Sequence, residues 1–312
     1  MAKPVVVVGG LNLDLVIRLQ RAPAAGETVV AERMSQFPGG KGGNQAVAAA
    51  RLGTPVAMIG RVGEDSFGEQ LVQSLGTQGV ETGAISRSAG AGTGTALITV
   101  DATGQNRIVV IPGANADMTP ALVEEHADLI RSAAVLLLQL EIPVDACLRA
   151  AEIAAGAGVP VVLDPAPASA EPLPARLREL TSLLTPNESE AQAMTGRRIL
   201  GRKGVAEAAA VLAAQGFRRV VIKAGSEGTY LYANGVGVWF DAFPVKVMDT
   251  TAAGDAFAGG LAAALERGFS LDAAILWGNA AGALAVTRHG AQASLGSLGE
   301  LMALLETRRE PQ

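Results

Sequence analysis

Short apolar runs alternate along most of the chain with Ala-rich segments that have helical periodicity. Within these runs the apolar residues occupy successive positions, which is typical of strands buried on both faces of a parallel sheet. The runs are Val5–Val8, Val56–Ile59, Val135–Leu140, Val159–Leu163, Leu183–Thr185 and Arg219–Lys223. Because strands and helices alternate in this way, the pattern predicts a doubly wound α/β fold, with a mostly parallel sheet flanked by helices.

Two parts of the chain alternate polar and apolar residues, which indicates antiparallel strands with one exposed face. They are Glu27–Glu32 and the pair Thr95–Val100 and Arg107–Ile111, whose members are joined by the turn-rich segment Asp101–Asn106. A small antiparallel β sheet projecting from an α/β body would suit a lid over a binding site. Ordinary edge hairpins explain the same periodicity equally well.

No linker rich in Pro, Gly or Ser divides the chain. We therefore expect a single domain over residues 1–312, with lid strands drawn from about 12–37 and 94–112.

Composition removes several classes of function. With 25 Lys and Arg against 30 Asp and Glu, the net charge is −5, so no overall positive field exists to attract nucleic acid. The single cysteine, Cys147, cannot form an intramolecular disulfide, and two histidines cannot complete a structural zinc site.

The apolar segments are too short to cross a membrane. Gly278 and Asn279 interrupt the stretch Ala273–Val286, which falls short of the roughly 20 residues that a spanning helix needs. The run Val5–Val8 is likewise too short for the core of a signal peptide. We expect a cytoplasmic protein with no membrane partner.

The segment Asp249–Leu261 consists of small residues that lead into an Ala-rich helix. The first amides of a helix lack intrahelical acceptors and its macrodipole is positive there, so Ala252, Ala253 and Gly254 could hold a phosphoryl group. Asp255 would lie beside that group, and its carboxylate could accept a proton from an attacking hydroxyl. A Gly-Asp pair before a helix is also a common cap, and the segment alone leaves both interpretations open.

A glycine-rich loop surrounds Lys41 in the segment Pro38–Ala46, ahead of a predicted helix through Leu52. It lacks the Ser or Thr that follows the lysine of a Walker phosphate loop. Lys41 and Asn44 in such a loop suit binding of several hydroxyls, and a plain glycine turn before a helix remains the alternative. No G-x-G-x-x-G follows a strand, which argues against a dinucleotide-dependent oxidoreductase.

Polar residues follow two of the predicted parallel strands. Asn12 and Asp14 come after the first strand, and Glu141 comes directly after Val135–Leu140. Ligands of α/β proteins bind at these strand ends, so the three side chains could bind the hydroxyls of a diol. An Asx turn explains Asn12 and Asp14 as well.

Two further strand ends carry candidate nucleotide and metal ligands. Asn187 and Glu190 lie three residues apart on one helical face, which suits a hydrated Mg²⁺ ion, although a capping box would use the same residues. Lys223–Gly228 is a glycine turn after a strand, against which an adenine nucleotide could lie.

Taken in this order, the segments resemble the ribokinase-like carbohydrate kinase family over nearly the whole chain. Gly39–Asn44 is similar to the family's first signature, and Asp249–Leu261, with its Ala-Ala-Gly-Asp core, is similar to the second. Further similar stretches are Pro23–Thr28, Gly113–Asn115, Gln139–Glu141, Pro165–Ala168, Thr185–Glu188 and Ala285–Gln292.

The resemblance implies transfer of the γ-phosphate of ATP to the 5-hydroxyl of D-ribose, with Asp255 as the base and Ala252, Ala253 and Gly254 as an anion hole. The implied sugar ligands are Asn12, Asp14, Gly40, Lys41, Asn44, Glu141 and Asp255. The implied nucleotide ligands are Asn187, Lys223, Ala224, Gly225, Ser226, Glu227, Gly228, Gly254 and Asn279. Glu190 would act on Mg²⁺ through water, and a K⁺ ion would lie in a loop with Asp249, Thr251, Ala285, Arg288, Gly290 and Ser294.

The resemblance also implies a homodimer formed through the lid. Three positions depart from common residues of the family: Gly43 replaces Ala, Asn279 replaces His, and Asp164 replaces Asn. None of these changes removes a catalytic group. The alternatives are another sugar kinase of the family, namely a deoxyribokinase, fructokinase or ketodeoxygluconokinase, or a non-catalytic sugar- or nucleotide-binding protein.

Overall fold

The computed structural model describes residues 3–168 and 171–308. Over these ranges the strands are β1 Val5–Val8, β2 Asn12–Arg18, β3 Arg33–Gly39, β4 Val56–Gly63, β5 Val80–Glu81, β6 Ile85–Ser88, β7 Gly94–Val100, β8 Asn106–Ile111, β9 Val135–Gln139, β10 Val161–Asp164, β11 Leu183–Leu184, β12 Arg219–Lys223, β13 Thr229–Ala233 and β14 Val236–Phe240. The α-helices are α1 Lys41–Arg51, α2 Ser66–Thr77, α3 Pro120–Glu124, α4 Ala127–Arg131, α5 Val144–Gly156, α6 Ala175–Leu180, α7 Glu188–Thr195, α8 Gly201–Ala214, α9 Ala253–Glu266, α10 Leu271–Ala285 and α11 Leu298–Glu306.

The main sheet runs in the order β14-β13-β12-β11-β10-β9-β1-β4-β5, with β6 also paired to β4. Strands β4, β1, β9, β10, β11 and β12 are mutually parallel, and β13 and β14 add an antiparallel edge. The central strand β1 pairs on both sides, placing Val5 opposite Val56 and Val135. The predicted mostly parallel α/β sheet is confirmed.

Helices cover both faces of this sheet. Successive side chains of a strand point to opposite faces, and here the side chains on both faces are apolar and must be buried. Val5 and Val7 join a core with α1, α2, α9, α10 and α11. Val6 and Val8 join a second core with α3 to α8. Within the described ranges no helix is long and apolar enough to cross a bilayer.

Small residues bring α9 close to its neighbours. A Cβ atom at Gly259 would lie 2.4 Å from the Ala48 side chain of α1, and one at Gly260 would lie 2.7 Å from the Ala281 side chain of α10. Larger residues would push these helices apart. The close packing holds the first turn of α9 at the carboxyl edge of the parallel strands.

A separate small sheet runs in the order β3-β2-β7-β8. Its two outer pairings are antiparallel, as the alternating pattern of β7 and β8 predicts, and its central β2–β7 pairing is parallel. The small sheet leaves the main body at Asn12, Gly39, Gly94 and Ile111, the ends of its four strands.

The predicted strand Glu27–Glu32 is wrong. This segment lies in the exposed connection between β2 and β3. The Glu27 carboxylate accepts hydrogen bonds from the Arg21 guanidinium and from the Ala24 amide, which folds the chain back on itself. Local polar contacts therefore override the alternating pattern.

The edge hairpin β13–β14 was not predicted from the sequence. Its turn is Asn234-Gly235, and both residues have positive φ, 51° and 81°. An Asn-Gly pair between two short apolar runs is a strong hairpin signal, because a tight two-residue turn requires such φ values. The signal was present in the sequence.

Candidate active site

A cavity of about 680 Å³ opens at the carboxyl edge of the main sheet, beside the first turn of α9. Its volume falls within the range of small-molecule binding sites. Polar residues of its wall are Lys41, Asp164, Asn187, Glu190, Lys223, Ser226, Thr229, Thr250, Asp255 and Asn279. Apolar residues of its wall include Phe243, Val245, Val247, Ala283 and Val286.

The first turn of α9 forms one wall of the cavity. Ala252 adopts a left-handed conformation with φ 58° and provides no side-chain cap, and the helix begins at Ala253. The Ala253 amide donates to the Thr250 carbonyl at 3.3 Å, whereas the amides of Gly254 and Asp255 lie in the turn where a helix supplies no acceptor. The positive end of the helix thus faces the cavity with backbone donors available for an anion.

Lys223 adds positive charge at this helix end. A Cβ atom at Gly254 would lie 3.1 Å from the Lys223 ammonium nitrogen. The same ammonium donates to Asp164 at 2.9 Å. Because residue 254 has no side chain, the Lys223 ammonium can lie close to the first backbone amides of α9.

The Asp255 carboxylate is buried where α9 meets α1. Asn44 donates to its Oδ2 atom at 2.9 Å, and Gln45 donates to its Oδ1 atom at 3.2 Å. Burial raises the pKa of Asp255, and Lys41 opposes that change, while Asp164 raises the pKa further. The Asn44 and Gln45 amides lower it. Asp255 does not cap its helix but presents a hydrogen-bonded carboxylate to the site.

Lys41 opens α1 and lines the cavity. Its burial lowers the pKa of the ammonium, but nearby carboxylates outweigh this effect and raise it above its ordinary value. The contributing carboxylates belong to Asp255, Asp164, Glu141 and Glu190. The ammonium is therefore protonated and partly balances a cluster of acidic groups.

Asn12, Asp14 and Glu141 gather near Lys41, as the strand-end argument predicts. The Asn12 amide nitrogen lies 3.5 Å from a Glu141 carboxylate oxygen, and the Lys41 backbone amide donates to the other oxygen at 2.7 Å. Asp14 packs against Gly39, where a Cβ atom would lie 2.4 Å from the carboxylate. These groups form a polar site that adjoins Asp255.

Gly40 joins this site through its backbone. Its φ is 82°, and a Cβ atom would lie 2.6 Å from the Asn12 backbone nitrogen and 2.7 Å from the Gly10 carbonyl oxygen. Both obstacles are main-chain atoms, so no side-chain movement could relieve them. Glycine is required here for the loop to pass β2.

The acidic groups of this polar site are costly to ionise. Burial raises the pKa of Asp14 to about 6, and Asp255 contributes to the increase. Burial raises the pKa of Glu141 to about 7, since the opposing effects of the Lys41 amide and ammonium are smaller. When ionised, the Asp14 and Glu141 carboxylates can accept hydrogen bonds from a ligand, but their burial lowers the free energy of unfolding of the protein.

Replacing Glu141 with glutamine is expected to stabilise the free protein at pH 8 by roughly 1 to 3 kcal/mol. The native pKa of about 7 exceeds the ordinary value of 4.5, so the native state binds more protons between these pH values. The destabilisation from Glu141 therefore grows as the pH rises from 4.5 to 7 and is complete above 7.

Urea unfolding of Glu141→Gln and the wild type at pH 8 and pH 5.5 measures this effect. We expect the gain at pH 5.5 to be less than half of the gain at pH 8. Glu125→Gln, an exposed change of the same kind, serves as the control and should alter stability little at either pH. Equal gains for Glu141→Gln at both pH values would contradict the assigned cause.

Elsewhere in the wall of the cavity, Asn187 and Glu190 form a capping box at the start of α7. The Asn187 side chain accepts from the Glu190 amide at 2.8 Å, and the Glu190 carboxylate accepts from the Asn187 amide at 2.7 Å. Both residues also line the cavity. Burial raises the pKa of Glu190, and the nearby Asp164 carboxylate raises it further.

The turn Lys223–Gly228 divides between the cavity and the surrounding protein. Lys223, Gly225, Ser226 and Gly228 line the cavity. Ala224 is instead buried in the core, and the Glu227 side chain pairs with Arg202. Asn279 lines the cavity and donates to the Phe240 carbonyl at 3.3 Å.

The loop predicted to hold K⁺ forms a connected structure around Asp249. One oxygen of its carboxylate accepts from the amide and hydroxyl of Thr251, and the other accepts from the Gly290 amide at 2.9 Å. Ser294 is buried and donates to the Ala291 carbonyl. Of the remaining predicted residues, Ala285 is buried and the Arg288 side chain pairs with Glu300.

Three polar residues near Asp255 were assigned no role from the sequence. Asp164 ends β10 as Glu141 follows β9, so the strand-end argument could have identified it. Gln45 and Gln139 are completely buried and join the same network. Nothing local distinguishes these two glutamines, because their partners lie 94 or more positions away in the chain.

The chain resembles known proteins along nearly its whole length. Residues 2–297 match the family described as pfkB family carbohydrate kinase. Ribokinase of Haemophilus influenzae is 39% identical over 306 residues, covering 98% of this chain and 99% of the relative. Bacillus subtilis ribokinase is 37% identical over 299 residues, covering 96% and 98%. The structure of Arabidopsis thaliana ribokinase complexed with ribose and ATP has a TM-score of 0.93 at 33% identity and covers 98% and 99%.

Proposed function

Because this chain belongs to the pfkB family of carbohydrate kinases, we propose that it transfers the γ-phosphoryl group of ATP to the 5-hydroxyl of D-ribose. The products are D-ribose 5-phosphate and ADP. The observation that carries the proposal is the buried Asp255 carboxylate, which belongs to the first turn of α9 and adjoins the polar site of Asn12, Asp14 and Glu141. The similarity to ribokinases over nearly the full chain supports ribose as the sugar and ATP as the donor. Because ATP is the donor, we place the reaction in the cytoplasm.

Asp255 is the general base of the proposed reaction. Its carboxylate accepts the proton of the 5-hydroxyl as the oxygen attacks the γ-phosphorus, and ADP leaves on the opposite side. The pKa raised by burial makes the carboxylate a better base, while the Asn44 and Gln45 amides keep it oriented. The amides of Ala252 and Gly254 would stabilise charge on the transferred group, and the Ala253 amide would do so by giving up its 3.3 Å hydrogen bond to the Thr250 carbonyl.

The sugar hydroxyls bind Asn12, Asp14, Lys41, Asn44 and Glu141, with Gly40 contributing backbone. The side-chain oxygen of Asn44, Oδ1, is buried and accepts no hydrogen bond from the described residues, which suits a hydroxyl donor. Since the site pairs many polar groups with hydroxyls, a sugar that lacks one of them leaves a buried group unsatisfied. This requirement favours ribose over 2-deoxyribose.

The nucleotide lies in the large cavity, with its phosphates toward Lys223 and Gly254. The wall of Phe243, Val245 and Val247 suits an apolar base, and Asn279 offers a polar edge. Asn187, Gly225, Ser226 and Gly228 complete the proposed site. Ala224 and Glu227 would contribute through the backbone of the same turn, since their side chains lie elsewhere.

Mg²⁺ fits the acidic side of this cavity. Repulsion between Glu190 and Asp164, which raises the pKa of Glu190, would be relieved by a cation. Glu190 would hold the ion through water, since Mg²⁺ retains several waters and binds phosphates as its other ligands. When bound, the ion supplies neutralisation of phosphate charge.

K⁺ fits the loop around Asp249, next to the start of α9. A hard cation prefers carboxylate, hydroxyl and backbone carbonyl oxygens. Asp249 and Thr251 offer side-chain oxygens of this kind, and carbonyls of Ala285, Arg288, Gly290 and Ser294 would complete the set. When bound, the ion would hold the loop that precedes the anion hole.

Activity is accordingly expected to be higher in K⁺ than in Na⁺ at equal ionic strength. The difference should be several-fold, because sites built from backbone carbonyl oxygens discriminate between K⁺ and Na⁺. Initial rates at fixed Mg²⁺, ribose and ATP in the two chloride salts measure it. Equal rates in both salts would argue against the cation site.

The small sheet acts as the proposed lid and dimer interface. Large apolar side chains are exposed on it at Met34, Phe37, Ile108, Val109 and Ile111. They lie on the two outer strands of the small sheet, β3 and β8, and exposed apolar side chains there favour burial against a partner. Pairing with the lid of a second copy, to give a homodimer, would cover these residues.

The position of phosphorylation tests the proposed reaction. With D-ribose and Mg-ATP, the ³¹P signal of the product should be a triplet, because the 5-phosphate couples to two methylene protons. A doublet would indicate a secondary position and would overturn the proposed geometry at Asp255. A reaction that yields only free phosphate would overturn the kinase assignment.

A further inference from the structure

Gln45 joins the proposed base to a second buried carboxylate. Its side chain is completely buried, and its amide nitrogen donates to Asp255 Oδ1 at 3.2 Å and to Asp164 Oδ2 at 3.0 Å. The two acceptors come from different parts of the fold, the first turn of α9 and the end of β10. One NH₂ group thus uses both of its hydrogens to bridge two acidic side chains.

Gln139 fixes the orientation of this bridge. Its amide nitrogen donates to the Gln45 carbonyl oxygen at 2.6 Å. Only one orientation of the Gln45 side-chain amide satisfies all of these partners. Ionised carboxylates accept hydrogen bonds and cannot donate them, so the NH₂ group must face the two aspartates. A Cβ atom at Gly9 would lie 1.8 Å from the side-chain oxygen of Gln139, Oε1. Only glycine at position 9 therefore leaves space for the Gln139 side chain.

The network continues to the nucleotide side of the cavity. Asp164 Oδ1 accepts from the Lys223 ammonium at 2.9 Å, and Lys223 lies beside Gly254. A continuous series of hydrogen bonds therefore connects Asp255, Gln45, Asp164 and Lys223. Its two ends face the proposed sugar and phosphate sites.

We propose that Gln45, held by Gln139, is a positioning residue that orients the Asp255 carboxylate and links it to the Asp164–Lys223 pair at the nucleotide cavity. The proposal rests on the proposed kinase reaction, in which Asp255 is the base. Gln45 is completely buried, so it acts through the two carboxylates it bridges and not through contact with substrate. Without its NH₂ group, two acidic side chains would face each other with no donor between them.

The expected direction of the pH effect follows from the surroundings of Asp255. Lys41 from α1 and Asp164 from β10 face it, as do Asp14 from β2 and Glu141 from the loop after β9. The donor of Gln45 lowers the pKa of Asp255 and Asp164 raises it, so removal of the donor raises the pKa. The base then becomes ionised only at higher pH.

Gln45→Met tests the proposal, because methionine has a similar length and no hydrogen-bond donor. We expect kcat at pH 7 to fall roughly 10- to 100-fold, with the KM for ribose changed less than about threefold. The acidic limb of the kcat–pH profile should move to higher pH by about half a unit or more. Gln139→Met, which leaves the Gln45 donor present but free to turn, should show both effects at smaller size.

Thr181→Val is the control for loss of a hydrogen-bonding group from a completely buried side chain, because Thr181 precedes β11, away from the carboxyl edge of the sheet that carries the site. Its kcat–pH profile should have the wild-type shape. If kcat of Gln45→Met falls equally at all pH values and the acidic limb of the profile stays where it is in the wild type, Gln45 contributes only to packing. That result would overturn the proposal. If Gln45→Met does not fold, Gln139→Met gives the same decision.

A titration that needs no turnover separates this proposal from the proposed function. The ¹³C carboxyl signal of Asp255, identified by its absence in Asp255→Asn, should titrate at higher pH in Gln45→Met than in the wild type. That result with no ribose phosphorylation by the wild type would support the linkage and remove the function. If the Asp255 signal titrates at the same pH in both proteins and both phosphorylate ribose, the proposed function stands and the proposed linkage through Gln45 is overturned.

Discussion

Replacing Asp255 with asparagine is expected to lower kcat by about 100-fold or more while leaving ribose and ATP binding largely intact. Asparagine has the same shape, so its carbonyl oxygen can still accept from Asn44 or Gln45. The amide cannot take the proton of the attacking hydroxyl, and only the step that needs a base is lost.

Steady-state kinetics with calorimetric binding of ribose and of ATP measures both parts of this expectation. Asp272→Asn makes the same change in the first turn of the neighbouring helix α10, where the side chain is exposed, and should leave kcat unaltered. A kcat of Asp255→Asn within a few-fold of the wild type would remove Asp255 from its role. Loss of binding with little change in kcat would make it a sugar ligand only.

Replacing Gly40 with alanine is expected to destabilise the protein by roughly 3 kcal/mol or more and to weaken ribose binding. Two effects add at this position, the positive φ of 82° and the collision of a Cβ atom with the backbone of Asn12 and Gly10. The chain can accommodate the methyl group only by moving the loop that carries Lys41 away from β2.

Gly79→Ala separates the two effects. Gly79 has the same φ of 82°, but a Cβ atom there would meet no atom within 4 Å. It is expected to cost about 1 kcal/mol, from backbone strain alone, with unchanged ribose affinity. Denaturant unfolding and ribose titration of both variants decide the matter, and equal losses of stability would show that the close approach at Gly40 has no energetic weight.

The main sheet could be predicted because its strands are buried on both faces. Runs such as Val5–Val8 and Val135–Gln139 consist of successive apolar residues, a pattern that an exposed strand does not show. The small sheet was harder to predict, since its strands have an exposed face and short-range polar contacts compete with pairing. The Glu27 carboxylate shows this competition, because its contacts with Arg21 and Ala24 replace a strand with a folded connection.

The site could be predicted in part for a topological reason. Parallel strands end at one edge, so Asn12 and Glu141, which follow two different strands, had to lie near each other. Gln45 and Gln139 could not be found in this way. Their importance comes from contacts that only the assembled fold creates, and a buried glutamine has no distinctive sequence pattern.

We expect this site to phosphorylate ribose in preference to related sugars. The most direct measurement is ADP release with Mg-ATP and K⁺ for D-ribose, 2-deoxyribose, fructose and ketodeoxygluconate, compared as kcat/KM. We predict the highest value for D-ribose, because each lost or misplaced hydroxyl leaves a group such as Asn44 or Glu141 unpaired. A higher value for another of these sugars, or no turnover with any of them, would contradict the account.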